Sequence, residues 1–276
     1  MKGEYLICLE VDNTLLDRNY RATSPTINSV INQLSAEGHI FILNSNRALE
    51  DLLSIAKIFE IAGPVIGENG TFIYYQDLGK TETLIDDAVL GQIEQIKNAI
   101  PGLINSYFPE AMFQIGDTTD INKHLDIQEI PRDKKLLFFM NEFRRYTISI
   151  HVKKIENGVL SKDITTAGKL CGLIAEYIEK NKMSLRASYT ESYANVLVCP
   201  TTTDKTRAYN YLVQKFPKHL RIFIADDADD KPVTGGDYLF VVNNATQEAK
   251  NMANYVSLEN ITKGVEDILL KMDRLI

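Results

Sequence analysis

The sequence predicts an α/β protein with a Rossmann-like, largely parallel sheet and a second α+β region inserted into the chain. Three observations lead to this fold class. Short apolar runs alternate with amphipathic helical patterns over residues 1–80, the pattern changes over 81–192, and the first alternation returns over 193–276. Strands that alternate with helices pack as a parallel sheet covered by those helices. We therefore expect a core domain formed by 1–80 and 193–276, and an inserted domain at 81–192.

The first elements follow a strict alternation. Residues 5–9 form a short apolar run that is followed by acidic residues. Such a run is typical of a buried strand. Apolar residues three and four apart then predict a helix over 27–34 that ends near Gly38. A strand over 39–43 and a helix over 49–59 repeat the same order.

The later elements are predicted from the same signals. The sequence Glu68-Asn69-Gly70 lies between two short apolar runs and predicts the turn of a β-hairpin. Over 81–192 the rhythm changes to longer helices and paired strands. The expected segments are strands at 64–67, 71–75, 136–140, 146–152, 196–199, 220–225 and 238–242, and helices at 88–100, 166–182 and 205–216 and from Gln247 and Ile261.

The composition excludes several classes of protein. The chain has 276 residues, of which 45% are hydrophobic and 24% charged, as in globular proteins. With 30 Lys and Arg against 37 Asp and Glu, the net charge of −7 leaves no broad basic surface, so we expect no nucleic-acid partner. The three cysteines have no metal-binding spacing, and no apolar run approaches the roughly 20 residues of a membrane span. We therefore expect reduced thiols, no membrane partner and a cytoplasmic location.

Polar residues collect where the predicted strands end. Glu10 and Asp12 follow the first strand, Ser45 follows the second, and residues 226–230, four of which are Asp, follow a late strand. In an open parallel sheet, ligands bind beyond these carboxyl ends. So many carboxylates in one cleft require a cation, and oxygen ligands suit Mg²⁺. The hydroxyl of Ser45 and the ammonium of Lys205 could then hold phosphoryl oxygens.

Each of these residues also has an ordinary structural interpretation. Residues 226–230 could form a solvated acidic loop, and Asp12 with Asn13 is common turn material. Ser45 could cap a helix, and Lys205 could be a surface lysine. The placement of all of them after strands favours the functional interpretation.

Taken in order, these residues resemble the motifs of haloacid dehalogenase (HAD) superfamily phosphatases of the Cof type, which carry a type IIB cap. The family's Asp-x-Asp-x-Thr motif is matched with Glu in the first position, as Glu10-Val-Asp12-Asn-Thr14. The resemblance spans nearly the whole chain. The remaining matches are Ser45 followed by Arg47, the turn Glu68-Asn69-Gly70, Lys205, residues 225–230 in place of Gly-Asp-x-x-Asn-Asp, and residues 243–250 in place of the Asn-Ala-x-x-x-x-Lys tail.

The resemblance implies a role for each matching residue. Glu10, in the position of the usual aspartate, is implied as the nucleophile that forms an acyl phosphate, and Asp12 as the general acid and base. Ser45 and Lys205 are implied to stabilise the phosphate oxygens. Arg47 and Asn244 are candidate substrate contacts. The implied ligands of Mg²⁺ are Glu10, Asp12, Asp226 and Asp230.

Two functions follow from this resemblance. The first is a Mg²⁺-dependent phosphomonoesterase that acts on a small phosphorylated metabolite, in particular a sugar or polyol phosphate. The second is a HAD-fold protein with weak or no catalysis that binds a phosphorylated ligand or a protein partner. Glu10 is the main support for the second. Substrate choice would depend on the inserted domain, where the basic candidates are His124, Arg144, Arg145 and His151.

Overall fold

A computed structural model describes residues 4–117, 131, 133–228 and 237–276. It divides into two compact units, one formed by residues up to 84 together with 204–276, and the other by 85–203. Each unit has its own buried apolar core.

The described elements alternate in the first unit and are mixed in the second. In chain order they are β1 (Tyr5–Leu9), α1 (Ile27–Ala36), β2 (Ile40–Asn44), α2 (Leu49–Ile58), β3 (Val65–Gly67), β4 (Phe72–Tyr75), β5 (Lys80–Thr83), α3 (Asp87–Tyr107), β6 (Ala111–Gly116), β7 (Leu136–Asn141), β8 (Ile148–Glu156), β9 (Val159–Lys162), α4 (Ile164–Lys180), β10 (Leu185–Thr190), β11 (Asn195–Pro200), α5 (Lys205–Val213), β12 (Leu220–Ala225), β13 (Asp237–Val241), α6 (Gln247–Met252), β14 (Tyr255–Val256) and α7 (Ile261–Leu275).

The first unit is built on an eight-stranded sheet in the order β14-β13-β12-β1-β2-β3-β4-β5. The six strands from β14 to β3 run parallel, and β4 and β5 join as antiparallel strands. From β1 the chain continues to β2 on one side, whereas β12 pairs with the other side of β1. Such a change of direction creates a crevice at the carboxyl ends of the strands. The predicted parallel α/β fold is confirmed.

Burial explains the aliphatic composition of the central strands. All five residues of β1 are buried, and its neighbour β12 is buried over its last four residues. Helices pack on both faces of a parallel sheet, so a central strand needs apolar side chains in every position. The ladder places Leu9 beside Ile224, so the residues that follow these two strands emerge next to each other.

The second unit contains a sheet in the order β10-β11-β8-β7-β6, with β9 paired to β8. Its pairs are antiparallel except for β6 and β7. Apolar residues of α3 and α4, such as Ile96 and Ile174, share one core with Phe138 and Ile150 from the sheet. This is the mixed α+β arrangement that the changed sequence rhythm predicts.

The helix α3 is longer than its predicted extent of 88–100. It continues through Pro101 to Tyr107. Proline interrupts a helix because it lacks an N–H donor, which is why the sequence predicts an end at this point. Here Ile100 and Ile104 are both fully buried, so the apolar stripe of the helix continues past the proline.

Both boundaries between the two units differ from the predicted domain boundaries. The predicted core strand at 196–199 is β11, which pairs with β10 and β8 of the second sheet instead. Residues 80–83 form β5, which pairs with β4 of the first sheet. The chain therefore changes unit after residues 84 and 203, where the predicted changes were after 80 and 192. Apolar alternation identifies a strand without identifying its sheet, so the partner strands decide the boundary.

Cys8, Cys171 and Cys199 are buried, and none of them forms a disulfide bond within the described residues. None of the described helices is long and apolar enough to cross a membrane.

The phenol of Tyr209 on α5 lies in the core, and within the described part of the chain no group forms a hydrogen bond with it. The residue is fully buried, its ring packs edge-on against Phe223 at 4.1 Å between centroids, and burial raises the pKa of its hydroxyl well above the usual value. Leaving a hydroxyl unpaired in an apolar core costs about 1–3 kcal/mol.

We expect Tyr209→Phe to stabilise the protein by about 1 kcal/mol, because it removes this unpaired group and keeps the ring. Urea unfolding followed by circular dichroism gives the change in free energy of unfolding. Tyr255→Phe is the matched control, since the Tyr255 hydroxyl donates to Asp267 at 3.1 Å and accepts from Lys271 at 3.2 Å. This control should lose stability. Equal losses in both variants would contradict the assignment of an unpaired phenol.

A polar cluster at the surface of the first unit joins the β4–β5 hairpin to α5. Glu82 accepts hydrogen bonds from Tyr75 at 2.8 Å, from Lys215 at 2.7 Å and from Tyr211. The Lys215 ammonium lies 4.6 Å from the ring centroid of Tyr75. The hydrogen bonds from Lys215 and Tyr211 lower the pKa of Glu82 from 4.5 to about 2.

The depressed pKa predicts a loss of stability in acid. A carboxylate with a lower pKa in the folded state stabilises the fold above pH 4.5, and this contribution disappears as the pH falls towards 2. Because the cluster is at the surface, we expect only about 0.5–1 kcal/mol. Glu82→Gln should therefore reduce the difference in unfolding free energy between pH 6 and pH 2.5. The exposed carboxylate Asp77 provides the control Asp77→Asn, which should leave that difference as in the natural protein.

Candidate active site

The predicted site begins in the turn that follows β1. The Glu10 amide continues the sheet by donating to the Ile224 carbonyl at 3.0 Å. The Leu15 and Leu16 amides both donate to the Val11 carbonyl, at 2.9 and 2.8 Å, and close a tight turn.

The two carboxylates that follow β1 differ in exposure. The Glu10 side chain is 7% exposed, whereas the Asp12 side chain is 36% exposed. Asn13 sits at the centre of this turn with a φ of 57°. The turn interpretation of Asp12 and Asn13 is therefore correct, and the turn itself presents the two carboxylates.

Glu10 and Lys205 form a largely buried ion pair. The Lys205 Nζ atom lies 2.6 Å from Glu10 Oε2, and the two side chains are 18% and 7% exposed. Lys205 is the first residue of α5, whose amino terminus is capped by Asp204 through a hydrogen bond from the Arg207 amide at 2.7 Å. Lys205 is therefore not a free surface lysine. Removing one partner of such a pair leaves an uncompensated charge away from water, which is costly.

Asp12 is paired with Arg47 through both of its oxygens. The Arg47 Nη2 atom lies 2.6 Å from Asp12 Oδ1, and the Nε atom lies 3.0 Å from Oδ2. The Arg47 guanidinium also lies 4.7 Å from the ring centroid of Tyr20. Burial opposes the positive charge, but the contact with Asp12 outweighs it and raises the pKa of Arg47. A planar fork of this kind holds a carboxylate in one orientation.

Tyr20 is a neighbour of the site that the sequence did not indicate. It has a φ of 59° and an exposed side chain, and it reaches Arg47 only through the folded loop after β1. A lone tyrosine in a polar loop carries no sequence signal that distinguishes it from the other twelve tyrosines of the chain.

Asp226 and Asn244 both contact the turn after β1. The Thr14 hydroxyl donates to Asp226 Oδ1 at 3.0 Å, which connects the end of β12 to this turn. Asn244 donates to the Asn13 carbonyl at 2.7 Å and accepts from the Ile261 amide at 2.8 Å. Both polar ends of the Asn244 side chain are thus used to hold backbone. In this arrangement Asn244 supports the turn.

Ser45 has a buried hydroxyl that forms no hydrogen bond with any described residue. The residue is fully buried, and no described group accepts from or donates to its Oγ atom. The capping interpretation does not hold, because the residue at the amino terminus of α2 is Ala48, without a side-chain cap. Backbone hydrogen bonding fixes the residue, since the Ser45 amide donates to the Ile66 carbonyl at 3.0 Å. An unpaired hydroxyl in a polar site is suited to an incoming oxygen, which must displace the groups that cover it.

The predicted metal site is only partly within the described residues. Asp229 and Asp230 lie outside them, as does His124 in the second unit. Among the residues that are described, no three acidic, histidine or cysteine side chains form a group that could hold a metal ion. Both oxygens of Asp12 contact Arg47, and the other described carboxylates of the predicted metal site are Glu10 and Asp226. Their hard oxygen donors, at the ends of adjacent strands, fit Mg²⁺.

The basic candidates of the second unit that the structure describes, Arg144, Arg145 and His151, lie on or just before β8. Burial and the nearby charges of Lys153 and Arg144 lower the pKa of His151 from 6.5 to about 3, so this imidazole is neutral at physiological pH. The Arg144 Nη1 atom donates to the Thr147 hydroxyl at 2.9 Å within the unit. Arg145 follows Arg144 in the turn that precedes β8.

The fold is that of an α/β protein whose candidate site follows the carboxyl ends of the strands of a parallel sheet. The chain matches the haloacid dehalogenase-like hydrolases over residues 7–269 and belongs to that family. It is 23% identical over 271 residues to a phosphoglycolate phosphatase from Staphylothermus marinus, and the match covers 97% of each chain.

Two solved structures show the same fold. One is a protein from Thermotoga maritima, with a TM-score of 0.68 and 15% identity over 97% of both chains. The other is a haloacid dehalogenase-like hydrolase from Bacteroides thetaiotaomicron, with a TM-score of 0.67 and 16% identity over 99% of this chain and 100% of that one. The predicted family is thus confirmed.

Proposed function

We propose that this protein is a Mg²⁺-dependent phosphomonoesterase that acts on a small phosphorylated metabolite, such as a sugar or polyol phosphate or a short phosphorylated acid. The observation that carries the proposal is the buried Glu10 carboxylate, held 2.6 Å from the Lys205 ammonium at the end of β1. Two residues further along, Asp12 supplies a second and more exposed carboxylate. The two environments suit two different roles. The buried carboxylate suits the nucleophile, and the more exposed one suits the group that transfers protons.

In the first step, a Glu10 oxygen bonds to the phosphorus atom while the ester P–O bond breaks. Asp12, in its protonated form, gives its proton to the departing alkoxide, so the alcohol leaves neutral. Because Arg47 now holds both Asp12 oxygens, at least one of these contacts must open before Asp12 can carry a proton. The product of this step is a phosphorylated Glu10.

In the second step, water attacks the phosphorus atom of phosphorylated Glu10 and gives a proton to Asp12. Inorganic phosphate leaves, the Glu10 carboxylate is restored, and Asp12 is protonated again for the next cycle. We propose that the Lys205 ammonium, 2.6 Å from Glu10, and the Ser45 hydroxyl, which has no partner among the described residues, stabilise the phosphoryl oxygens. We propose Glu10 and Asp226, with Asp230, as the residues that hold Mg²⁺, whose charge offsets that of the phosphoryl group.

The substrate class is proposed from the relative and the site together. The relative from Staphylothermus marinus is named a phosphoglycolate phosphatase, so a two-carbon phosphorylated acid belongs among the candidates. The Arg47 guanidinium is 15% exposed and could contact a substrate carboxylate or phosphate once Asp12 releases it.

The test is phosphate release from phosphoglycolate, several sugar and polyol phosphates and p-nitrophenyl phosphate, each with Mg²⁺ and with EDTA. We expect turnover with Mg²⁺ and its loss with EDTA, recovered by excess Mg²⁺. If no substrate is turned over but inorganic phosphate still raises the unfolding temperature with Mg²⁺, the protein is instead a phosphate-ligand binder.

A further inference from the structure

The turn formed by Glu68, Asn69 and Gly70 has an unusual backbone. All three residues have positive φ angles, of 44°, 62° and 81°. For residues other than glycine this conformation is disfavoured, and a run of three persists only where the surroundings require it. The turn closes on itself through hydrogen bonds from the Gly70 and Thr71 amides to the Gly67 carbonyl, at 3.0 and 3.2 Å.

Gly70 lies directly against the backbone that begins α5. A Cβ atom on Gly70 would be 2.1 Å from the Asp204 carbonyl oxygen and 3.0 Å from the Lys205 amide nitrogen. No side chain fits there without moving this backbone. The Asn44 Nδ2 atom also donates to the Lys205 carbonyl at 3.4 Å. The backbone at the start of α5 is thus in contact with both Gly70 and Asn44.

The same turn also contacts the backbone of Arg47. The Glu68 amide donates to the Arg47 carbonyl at 2.9 Å. One short turn therefore touches the backbone of both cationic residues, whose side chains pair with Glu10 and Asp12. The side chain of Glu68 is buried, which fixes the turn further.

We propose that the turn Glu68–Gly70 is a positioning element that sets the Lys205 ammonium against Glu10 through the close approach of Gly70 to Asp204. This inference rests on the proposed function only for its effect on catalysis, because the position of Lys205 can be measured without turnover. Gly70 is a positioning residue and touches neither substrate nor reacting atoms.

The test compares Gly70→Ala with two control glycines of the same unit. Gly63→Ala places a Cβ 2.0 Å from the Phe41 carbonyl oxygen, at the amino-terminal end of β3. Gly79→Ala imposes a side chain at a φ of 59° with no atom nearer than 4.0 Å. The first control reproduces the collision and the second the backbone strain, and neither touches the start of α5.

Lys205 is followed by its rate of acetylation with an amine-reactive reagent, measured by mass spectrometry of its peptide. We expect several-fold faster acetylation of Lys205 in Gly70→Ala than in the natural protein and in both controls. We also expect kcat/KM to fall about 100-fold in Gly70→Ala, as for a displacement of about 1 Å at a reacting group. Gly70→Asn should behave like Gly70→Ala, because asparagine tolerates positive φ but still carries a Cβ.

Unchanged acetylation of Lys205 in folded Gly70→Ala would overturn the proposal, whatever the activity. If Gly70→Ala does not fold, Gly70→Asn is measured instead, and unchanged acetylation of Lys205 in that variant would also overturn the proposal. If the natural protein hydrolyses no phosphomonoester while acetylation changes as expected, the proposed function fails and the positioning role stands.

Discussion

Replacement of Glu10 by glutamine is expected to lower phosphate release about a thousandfold or more, because an amide cannot form the acyl phosphate of the proposed mechanism. The substitution keeps the length of the side chain and leaves an amide oxygen that can still accept from the Lys205 ammonium, now 2.6 Å from the carboxylate. The buried Lys205 charge loses its compensating carboxylate, so we expect the variant to fold with a lowered thermal unfolding midpoint. The measurement is the initial rate of phosphate release at saturating substrate, with the thermal unfolding midpoint as the check on folding.

Glu10→Asp is the informative companion to this variant. Aspartate keeps the nucleophile but withdraws it by one methylene group, and a misplacement of about 1 Å can cost about 100-fold in rate. We expect Glu10→Asp to be slower than the natural protein and faster than Glu10→Gln. If Glu10→Asp is instead much faster than the natural protein, the glutamate suppresses turnover, and ligand binding becomes the better description of the function.

Replacement of Asp12 by asparagine is expected to lower turnover of a sugar or polyol phosphate by about 10²–10⁴-fold, the usual contribution of a general acid or base. Asparagine can accept only one of the two Arg47 contacts, which are 2.6 and 3.0 Å long with Asp12, because its amide nitrogen is a donor. Arg47→Lys, which keeps the positive charge and loses the bidentate contact, is the control that separates the loss of proton transfer from the loss of this contact.

p-Nitrophenyl phosphate separates the two steps of this variant. Its leaving group needs little help from an acid, so Asp12→Asn should still release p-nitrophenol in the first turnover. The second step lacks its base, so phosphorylated Glu10 should accumulate. A burst of about one p-nitrophenol per protein, followed by a slow rate, is the expected result. A variant that loses the burst together with the steady rate would contradict the assigned role of Asp12.

The fold was predictable because its signals are local. The all-apolar run of β1 reflects burial on both faces of the sheet, and the spacing of Ile27, Ile31 and Leu34 reflects one buried face of α1. Capping and turn residues then set the order of elements. Where the prediction differed, at Pro101 and at β11, the deciding factor was a contact distant in sequence: continued burial of α3 in one case and a partner strand in the other.

The candidate site was predictable as a set of residues and not as a set of contacts. Motif order indicated Glu10, Asp12, Ser45 and Lys205, but nothing in the sequence pairs Glu10 with Lys205, which lies 195 residues away. The bidentate contact of Arg47 with Asp12 and the use of both ends of Asn244 to hold backbone are likewise products of packing. Asp230 lies outside the described residues, so its predicted metal role stays a prediction.

The sequence by itself determined the family, the parallel α/β core, the inserted region and the residue types that gather at the strand ends. It could do so because periodicity depends on neighbouring residues, and because the order of the motifs can be followed directly along the chain. Only the tertiary structure decided which cationic side chain pairs with which carboxylate and which sheet contains β11. It also showed that the backbone at the start of α5 leaves no space for a side chain at Gly70. These depend on distances between segments far apart in the chain, and such distances exist only once the sheet has assembled.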